Sequence, residues 1–386
     1  MEPEIPNIPS DISVTIREPR PKRPFRLYDR IIWWLNIAAA LMLGLSYFAP
    51  WVSPAVFWPV AFLGLGYGVL ALANLLFAAY FALRKRKRAF VSLVVLLAGF
   101  PVFGLHYCFT SKEADFSAGT FKVMSYNTKL FDLYNWSHNA QTRSKMFDMM
   151  LNEKPDLLCL QEFYTEDTGS LRNFDTLKAI LGLPYAHSEY TITLRKTDHW
   201  GIATFSRYPI VNQGSIVFNN RSNNICIYSD MLIRGDTVRV YNMHLQSIRF
   251  GYADQQFIHN ITHGKETEDE IENSKNIMRR VKRAFTRRAG QAESIARHIS
   301  SSPYPVIVCG DFNDTPISYA YHTISEKLED AFLESGSGMG RTFSEYPLVP
   351  RIDYILHSPY YEASGFTVIK KELSDHYPVV CRLKKK

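Results

Sequence analysis

Cysteine is scarce in this chain, with five in 386 residues. They stand at 108, 159, 226, 309 and 381 with no Cys-x-x-Cys spacing, which excludes a disulfide framework and a cysteine-rich metal cluster. Cys159, Cys226, Cys309 and Cys381 each lie inside an apolar run, as small core residues do. Charge is missing over a longer stretch: from Ile31 to Leu83 there is no Asp, Glu, Lys or Arg. Residues 1–111 hold 11 of the 44 Lys and Arg and 5 of the 37 Asp and Glu, which leaves 33 against 32 in residues 112–386. Six of the seven formal positive charges therefore belong to the N-terminal part. The remainder lacks the basic excess of a nucleic-acid-binding surface.

A spanning helix takes about 20 apolar residues, so the uncharged stretch is long enough for two spans joined at the turn APWVSPA, residues 49–55. A third apolar run follows from Ala89 to about Phe109, with Pro101 inside it. This predicts three transmembrane helices at about 31–49, 56–83 and 89–109, with Trp33, Trp34, Trp51 and Trp58 near their ends. Arg17, Arg20, Lys22, Arg23, Arg26 and Arg30 precede the first span and RKRKR, Arg84 to Arg88, follows the second, whereas the turn between them is uncharged. The positive-inside rule then places the N-terminus and the RKRKR loop in the cytoplasm, and residues 112–386 on the far side of the cytoplasmic membrane. Residues 1–30 read as a disordered basic tail without the apolar core of a cleavable signal peptide, so the first span is expected to be a retained anchor.

From residue 121 on, short apolar or β-branched runs recur and each stops at a polar cluster: FKVMSYN, DLLCLQE, GIATFSR, NICIYSDMLI, TVRVYNMHLQ, PVIVCGDFN, RIDYILHS and HYPVVCRL. Helical patterns intervene at about 141–153, 171–181 and 317–328. A longer helix is predicted from about Thr267 to Ser300, with Ile277, Val281, Phe285, Ala292, Ile295 and Ile299 as its apolar stripe. Lys275, Arg279, Arg280, Lys282, Arg283, Arg287 and Arg288 crowd its flanks. They read first as a solvated face balanced by Glu266, Glu268, Asp269, Glu270 and Glu272, and alternatively as a patch for anionic lipid headgroups or a polyanionic substrate. Residues 249–266 read as a mobile loop leading into it. Many strands with few helices predict an α/β domain with a large, mostly non-parallel sheet system.

The strands end on an unusual set of residues: Asn127, Glu162, His244 with Asn242, Asp311 with Asn313, Asp353, and Asp375 with His376. One such end is as readily a polar turn, and Asp314 reads as a turn residue before Pro316. Six strands ending this way predict one site at one sheet edge. Hard divalent cations take oxygen ligands, so Glu162, Asn127 and Asp375 suit Mg²⁺ or Mn²⁺ together with a substrate phosphate. Two histidines also suit zinc, but oxygen donors outnumber them. A phosphate ester needs an aligned water and groups that hold charge on its oxygens. Asp311 and Asn313 are candidates for the first task, His244 and His376 for the second.

SYNTKLF (125–131), LQEF (160–163), GIATFSRYPI (201–210), NMHL (242–245), GDFNDTP (310–316), RIDYIL (351–356) and SDHYPV (374–379) resemble, in order, the motifs of the endonuclease/exonuclease/phosphatase superfamily of deoxyribonuclease-like enzymes. The resemblance spans about residues 120–384, with an insertion at about 249–290, and implies a four-layer α/β/β/α sandwich at residues 112–386 that hydrolyses phosphoesters with a divalent metal. It implies Glu162 as main metal ligand, supported by Asn127, with Asp375 lining the metal or water site. It also implies Asp311 as the group that orients or deprotonates water beside Asn313, and His376 as a phosphate contact held by Asp353. His244 stands where abasic-site enzymes have a tyrosine, which weighs against that activity. Lys129 stands where some members have an acid, which puts a second metal in doubt. A lipid headgroup, a soluble phosphate ester and an extracytoplasmic nucleic acid stay open as substrates, and no protein partner is inferred. The rival class is a non-catalytic membrane scaffold or binding module.

Overall fold

The computed structural model describes residues 27–218, 223–248, 270–345 and 351–386. Most of the expected tail at 1–30 and all of the expected loop at 249–266 lie outside the described residues. Five helices come first: α1 (Leu27–Ser46), α2 (Pro54–Leu65), α3 (Tyr67–Leu83), α4 (Ala89–Ala98) and α5 (Phe100–His106). The strands that follow are β1 (Phe121–Asn127), β2 (Leu157–Glu166), β3 (Tyr185–Leu194), β4 (Asp198–Ser206), β5 (Ile210–Ile216), β6 (Ile225–Ile233), β7 (Asp236–His244), β8 (Val306–Asp311), β9 (Glu329–Asp330), β10 (Asp353–His357), β11 (Tyr361–Val368) and β12 (Val379–Lys385). Among them run α6 (Thr142–Glu153), α7 (Asn173–Leu181), α8 (Glu270–Ser300), α9 (Tyr319–Ser325) and α10 (Ala331–Ser335).

The strands form two sheets, ordered β11-β12-β1-β2-β4-β3 and β5-β6-β7-β8-β10-β9. Because side chains alternate across a strand, each sheet feeds two cores. Val123, Leu157 and Cys159 meet Val240, Ile307 and Cys309 between the sheets. On the outer faces, Met124, Leu158 and Leu160 pack under Met146 and Met150 of α6 and Leu177 of α7, while Tyr241, Val308 and Tyr354 pack under Ile295 of α8 and Ile324 of α9. This is the α/β/β/α sandwich that the resemblance implies. All five cysteines are buried and free, as expected of core thiols. Four strands were illegible in the sequence, namely β3, β5, β9 and β11. The side chains of β3 and β5 are largely half-exposed or exposed, β9 has two residues, and β11 mixes buried with exposed positions, so none carries a continuous apolar run.

The topology gathers the strand ends. β1 pairs parallel with β2, and β7 with β8; each parallel pair needs a long crossover, and helices α6 and α8 supply them. β12 runs antiparallel to β1, and β10 antiparallel to β8. The C-terminal ends of β1, β7 and β8 and the N-terminal starts of β10 and β12 therefore share one edge of the stack.

The N-terminal helices depart from the expected geometry. No single helix among the described residues is long and apolar enough to cross a membrane; two pairs pass that test only when taken together, α2 with α3, bent by 53°, and α4 with α5, bent by 58°. Gly66 separates the first pair, and Gly99 with Pro101 separates the second. Proline has no N–H to continue a helical ladder, and glycine costs it stability. Polar residues sit inside this bundle beside apolar ones, and large apolar side chains cover its outside. Asn36, Ser46, Asn74 and Ser92 are fully buried, while Trp34, Leu41, Leu76, Leu97 and Phe100 are exposed. Asn74 donates to the Ala39 and Leu70 carbonyls, and Ser92 to Asn36 Oδ1. The bundle also touches the sandwich: Ile317 packs among Leu43, Ala49, Val60 and Tyr67, and α8 lays Val281 and Phe285 on Ala61 of α2.

Candidate active site

Gly310 shows why β8 ends in Gly-Asp. Its φ is +148°, and a Cβ there would stand 2.1 Å from the Met243 carbonyl oxygen of β7. Only glycine permits that approach, which brings Asp311 level with His244 and, on the other side, Asp353. Asp311 is fully buried. Its Oδ2 accepts from Asn127 Nδ2 of the opposite sheet at 3.0 Å and from Asn313 Nδ2 at 3.1 Å, and its Oδ1 accepts from the Asn313 N–H at 2.7 Å. Burial and the Asp353 charge push its pKa up to about 6, against the pull of His376, His244 and Asn127.

Two imidazoles face this carboxylate. His376 Nε2 lies 3.6 Å from Asp311 Oδ2, and its Nδ1 lies 3.0 Å from Asp353 Oδ2. Burial would lower its pKa, but the charges of Asp353 and Asp311 outweigh it and hold the ring protonated well above its ordinary range. His244 Nε2 lies 3.7 Å from both Asp311 Oδ2 and Glu162 Oε1.

Glu162 is not at a strand end, as the sequence suggested, but inside β2. It occupies a register irregularity between Leu160 and Phe163 and has φ +45°, a bulge that turns its carboxylate toward the site. The side chain keeps 35% exposure, while its neighbours crowd it enough that desolvation and Asp375 raise its pKa. At Asp375 burial raises the pKa, but His376, Lys129 and Ser374 together overcome it and the net shift is downward. Lys129 Nζ pairs with Asp375 at 2.9 Å and with Glu345 at 3.3 Å. It gets there through four consecutive left-handed residues, Lys129 to Asp132, a costly turn for L-residues that also buries Phe131.

The structure thus brings all eight candidates together: Asn127, Glu162, His244, Asp311, Asn313, Asp353, Asp375 and His376. Asn242 is placed apart, in a buried polar link between the sheets, accepting from Gln161 Nε2 at 2.7 Å. Asp314 does lie in the bend before Pro316, but it is buried there as the partner of Arg288, at 2.9 Å. Arg288 in turn leaves the solvated flank of α8 that the sequence assigned to it. Two supporting hydroxyls escaped the sequence reading. Ser374 Oγ donates to the Asn127 carbonyl at 2.9 Å, and Thr342 Oγ1 accepts from the Ile352 and Asp353 N–H groups at 3.0 and 3.2 Å. Serine and threonine are too common in loops to be singled out without contacts.

Residues 124–376 match the family model described as Endonuclease/Exonuclease/phosphatase family. The chain belongs to that family. The nucleases and phosphatases in the family's name are phosphoester hydrolases, which supports that reaction class for the chain. Residues 29–106 match a second model, described as a domain of unknown function (DUF8431). No curated protein matches the chain. Among solved structures, the human Nocturnin catalytic domain with bound sulfate anion is similar at 18% identity over 71% of this chain and 96% of that one, with a TM-score of 0.49. Sphingomyelinase C from Streptomyces griseocarneus is similar at 18% identity over 68% and 99%, with a TM-score of 0.45. The mannosyl-6-phosphatase Bt3783 of Bacteroides thetaiotaomicron is similar at 17% identity over 68% and 99%, with a TM-score of 0.47.

Among the described residues, two groups have ligand atoms close enough to hold a cation: Asp311, Asp353 and His376, and separately Glu329, Glu334 and His357. In the first, His376 already pairs with both carboxylates. The second lies toward the opposite end of β10, where Lys386 pairs with Glu329 at 2.9 Å and His357 with Glu334 at 3.1 Å. Glu162 differs, because the Asp375 charge raises the cost of its own beside a solvent opening. A divalent cation would relieve that repulsion, and Asn127 Oδ1, which accepts only the Lys129 N–H at 3.1 Å, keeps a lone pair for it. The donor set fits a hard metal.

Proposed function

We propose that the chain is a membrane-anchored, divalent-metal-dependent phosphodiesterase or phosphatase that works outside the cytoplasmic membrane. The observation that carries the chemistry is the Asn127–Asp311–His376–Asp353 network, which joins both sheets at the edge where Glu162 opens to solvent. Glu162, Asn127 and Asp375 would hold Mg²⁺ or Mn²⁺. When bound, the cation supplies Lewis-acid charge at the phosphoryl oxygens. Asp311, fixed by Asn127 and Asn313, orients the attacking water and takes its proton. His376, kept cationic by Asp353, holds negative charge on a non-bridging oxygen, and His244 completes the ring of donors.

The membrane reading is supported by the bundle's apolar exterior. Apolar side chains on its outside and hydrogen-bonded Asn and Ser within suit a hydrocarbon surround. The orientation is supported by the Lys and Arg bias of the sequence. Near-neutral charge over residues 112–386 and a membrane tether favour a lipid headgroup or small ester over nucleic acid as substrate.

The test is hydrolysis of bis-p-nitrophenyl phosphate by the full chain in detergent, with Mg²⁺ and with chelator, followed by a panel of DNA, RNA, sphingomyelin and inositol phosphates. Equal rates for wild type and Asp311→Asn would sink the enzyme reading.

A further inference from the structure

Two loops leave the site residues that end β7 and β8, and α8 contacts both. The first leaves His244 through Leu245, Gln246 and Ser247 to Ile248. The second leaves Asp311 through Asn313 and Asp314 to Ile317. Leu245 N–H donates to the Asp311 carbonyl at 3.0 Å, and Asn313 Nδ2 donates to the Leu245 carbonyl at 3.0 Å, so the loops are laced together beside the site. One step further out, Arg288 of α8 holds both. Its Nε donates to Asp314 Oδ2 at 2.9 Å and its Nη1 to the Gln246 carbonyl at 2.8 Å, with its side chain 1% exposed. Gln291, one turn on, accepts from the Gln246 N–H at 2.9 Å.

Ile248 and Ile317, further along the two loops, are pinned as well. Ile248 packs with Val281 and Phe285 of α8 against Ala61 and Leu65 of α2, and Ile317 packs among Leu43, Ala49 and Val60. The Arg288 guanidinium lies 5.1 Å from the Phe285 ring centroid, so one helix turn of α8 both sits on the bundle and grips the loops.

We propose that Arg288 is a positioning residue: it fixes the spacing of the His244 and Asp311 loops, with Ile248 and Ile317 seating them on the N-terminal bundle. Lysine cannot replace it, because a single ammonium does not offer two donors in a fixed fork toward acceptors on different loops. The inference rests on the reading of Asp311 and His244 as the reacting centre. A misplacement of about 1 Å costs on the order of 100-fold in rate, which sets the scale expected here.

Arg288→Ala leaves Asp314 buried and unpaired and is a poor test, since it undermines folding. The informative variants are Arg288→Lys and the charge-free pair Arg288→Met/Asp314→Leu, because replacing a buried ion pair by apolar groups of similar volume is often neutral for stability. In the full chain with bis-p-nitrophenyl phosphate, both should lose about 10- to 100-fold in kcat with KM within about twofold and an unchanged melting temperature. Wild-type kcat in either folded variant overturns the proposal, and if the double variant does not fold, Arg288→Lys decides. Asp311→Asn run alongside separates the two readings: wild-type activity in Asp311→Asn sinks the active site itself, whereas its inactivity beside fully active Arg288 variants sinks only the role of Arg288.

Discussion

His376 Nδ1 lies 3.0 Å from Asp353 Oδ2, and both residues are almost fully buried. The ring and the carboxylate come from different segments, the start of β10 and the approach to β12, so the pair exists only once both strands have joined their sheets.

That pair gives the first prediction. Asp353→Asn should keep the fold, since an amide accepts the same hydrogen bond, but should lose the charge that holds His376 cationic. A loss of about 100- to 10,000-fold in kcat is expected, the usual scale for a positioned proton-bearing group. Steady-state kinetics with a matched melting curve check it.

Metal removal gives the second. Chelator should abolish hydrolysis, and Mg²⁺ or Mn²⁺ should restore it in the wild type. Glu162→Gln should raise the metal concentration needed for half-activity by more than about tenfold, since it removes a charged oxygen donor. Calorimetric metal titration of the substrate-free protein tests the same site without turnover.

Topology gives the third. A reporter fused after Lys386 should be active only outside the cytoplasm, as the basic residues at 17–30 and 84–88 require. Cytoplasmic activity would overturn the orientation and leave the hydrolase reading intact.

A fourth concerns pH and stability away from the site. Glu334 is desolvated, but donors from His357 and the Ala363 N–H outweigh that and hold its pKa below the ordinary value. A depressed carboxylate contributes stability that is present above its unfolded pKa of about 4.3 and is lost as pH falls through the lower folded value. The melting-temperature advantage of wild type over Glu334→Gln should therefore be present at neutral pH and shrink on acidification below that range. An advantage that grows on acidification would contradict the assignment.

Much of this was legible in the sequence. The runs that became β1, β2, β4, β6, β7, β8, β10 and β12 are apolar on both faces because each strand is covered on both sides, and such runs stand out without a structure. Asp311, Asn127 and His244 were legible because each ends such a run. Glu162 was found for an incomplete reason: the polar break in LLCLQEF marks a bulge within the strand, not its end. The outer strands β3, β5, β9 and β11 were hidden by half-exposed or mixed patterns and, for β9, by a length of two residues. The helices at 54–65 and 67–83 looked like one span because composition does not record a bend at a single glycine.

The sequence by itself determined the class of chemistry, since acids, amides and imidazoles at successive strand ends suit one hard cation and one phosphate, and it determined where the chain turns apolar. Only the tertiary structure decided how those groups share charge. Lys129 on Asp375, the buried Asp311 raised to about 6 and the grip of Arg288 on two loops all depend on distances between segments far apart in sequence. Coulombic and desolvation energies vary with separation and burial, which residue order does not encode.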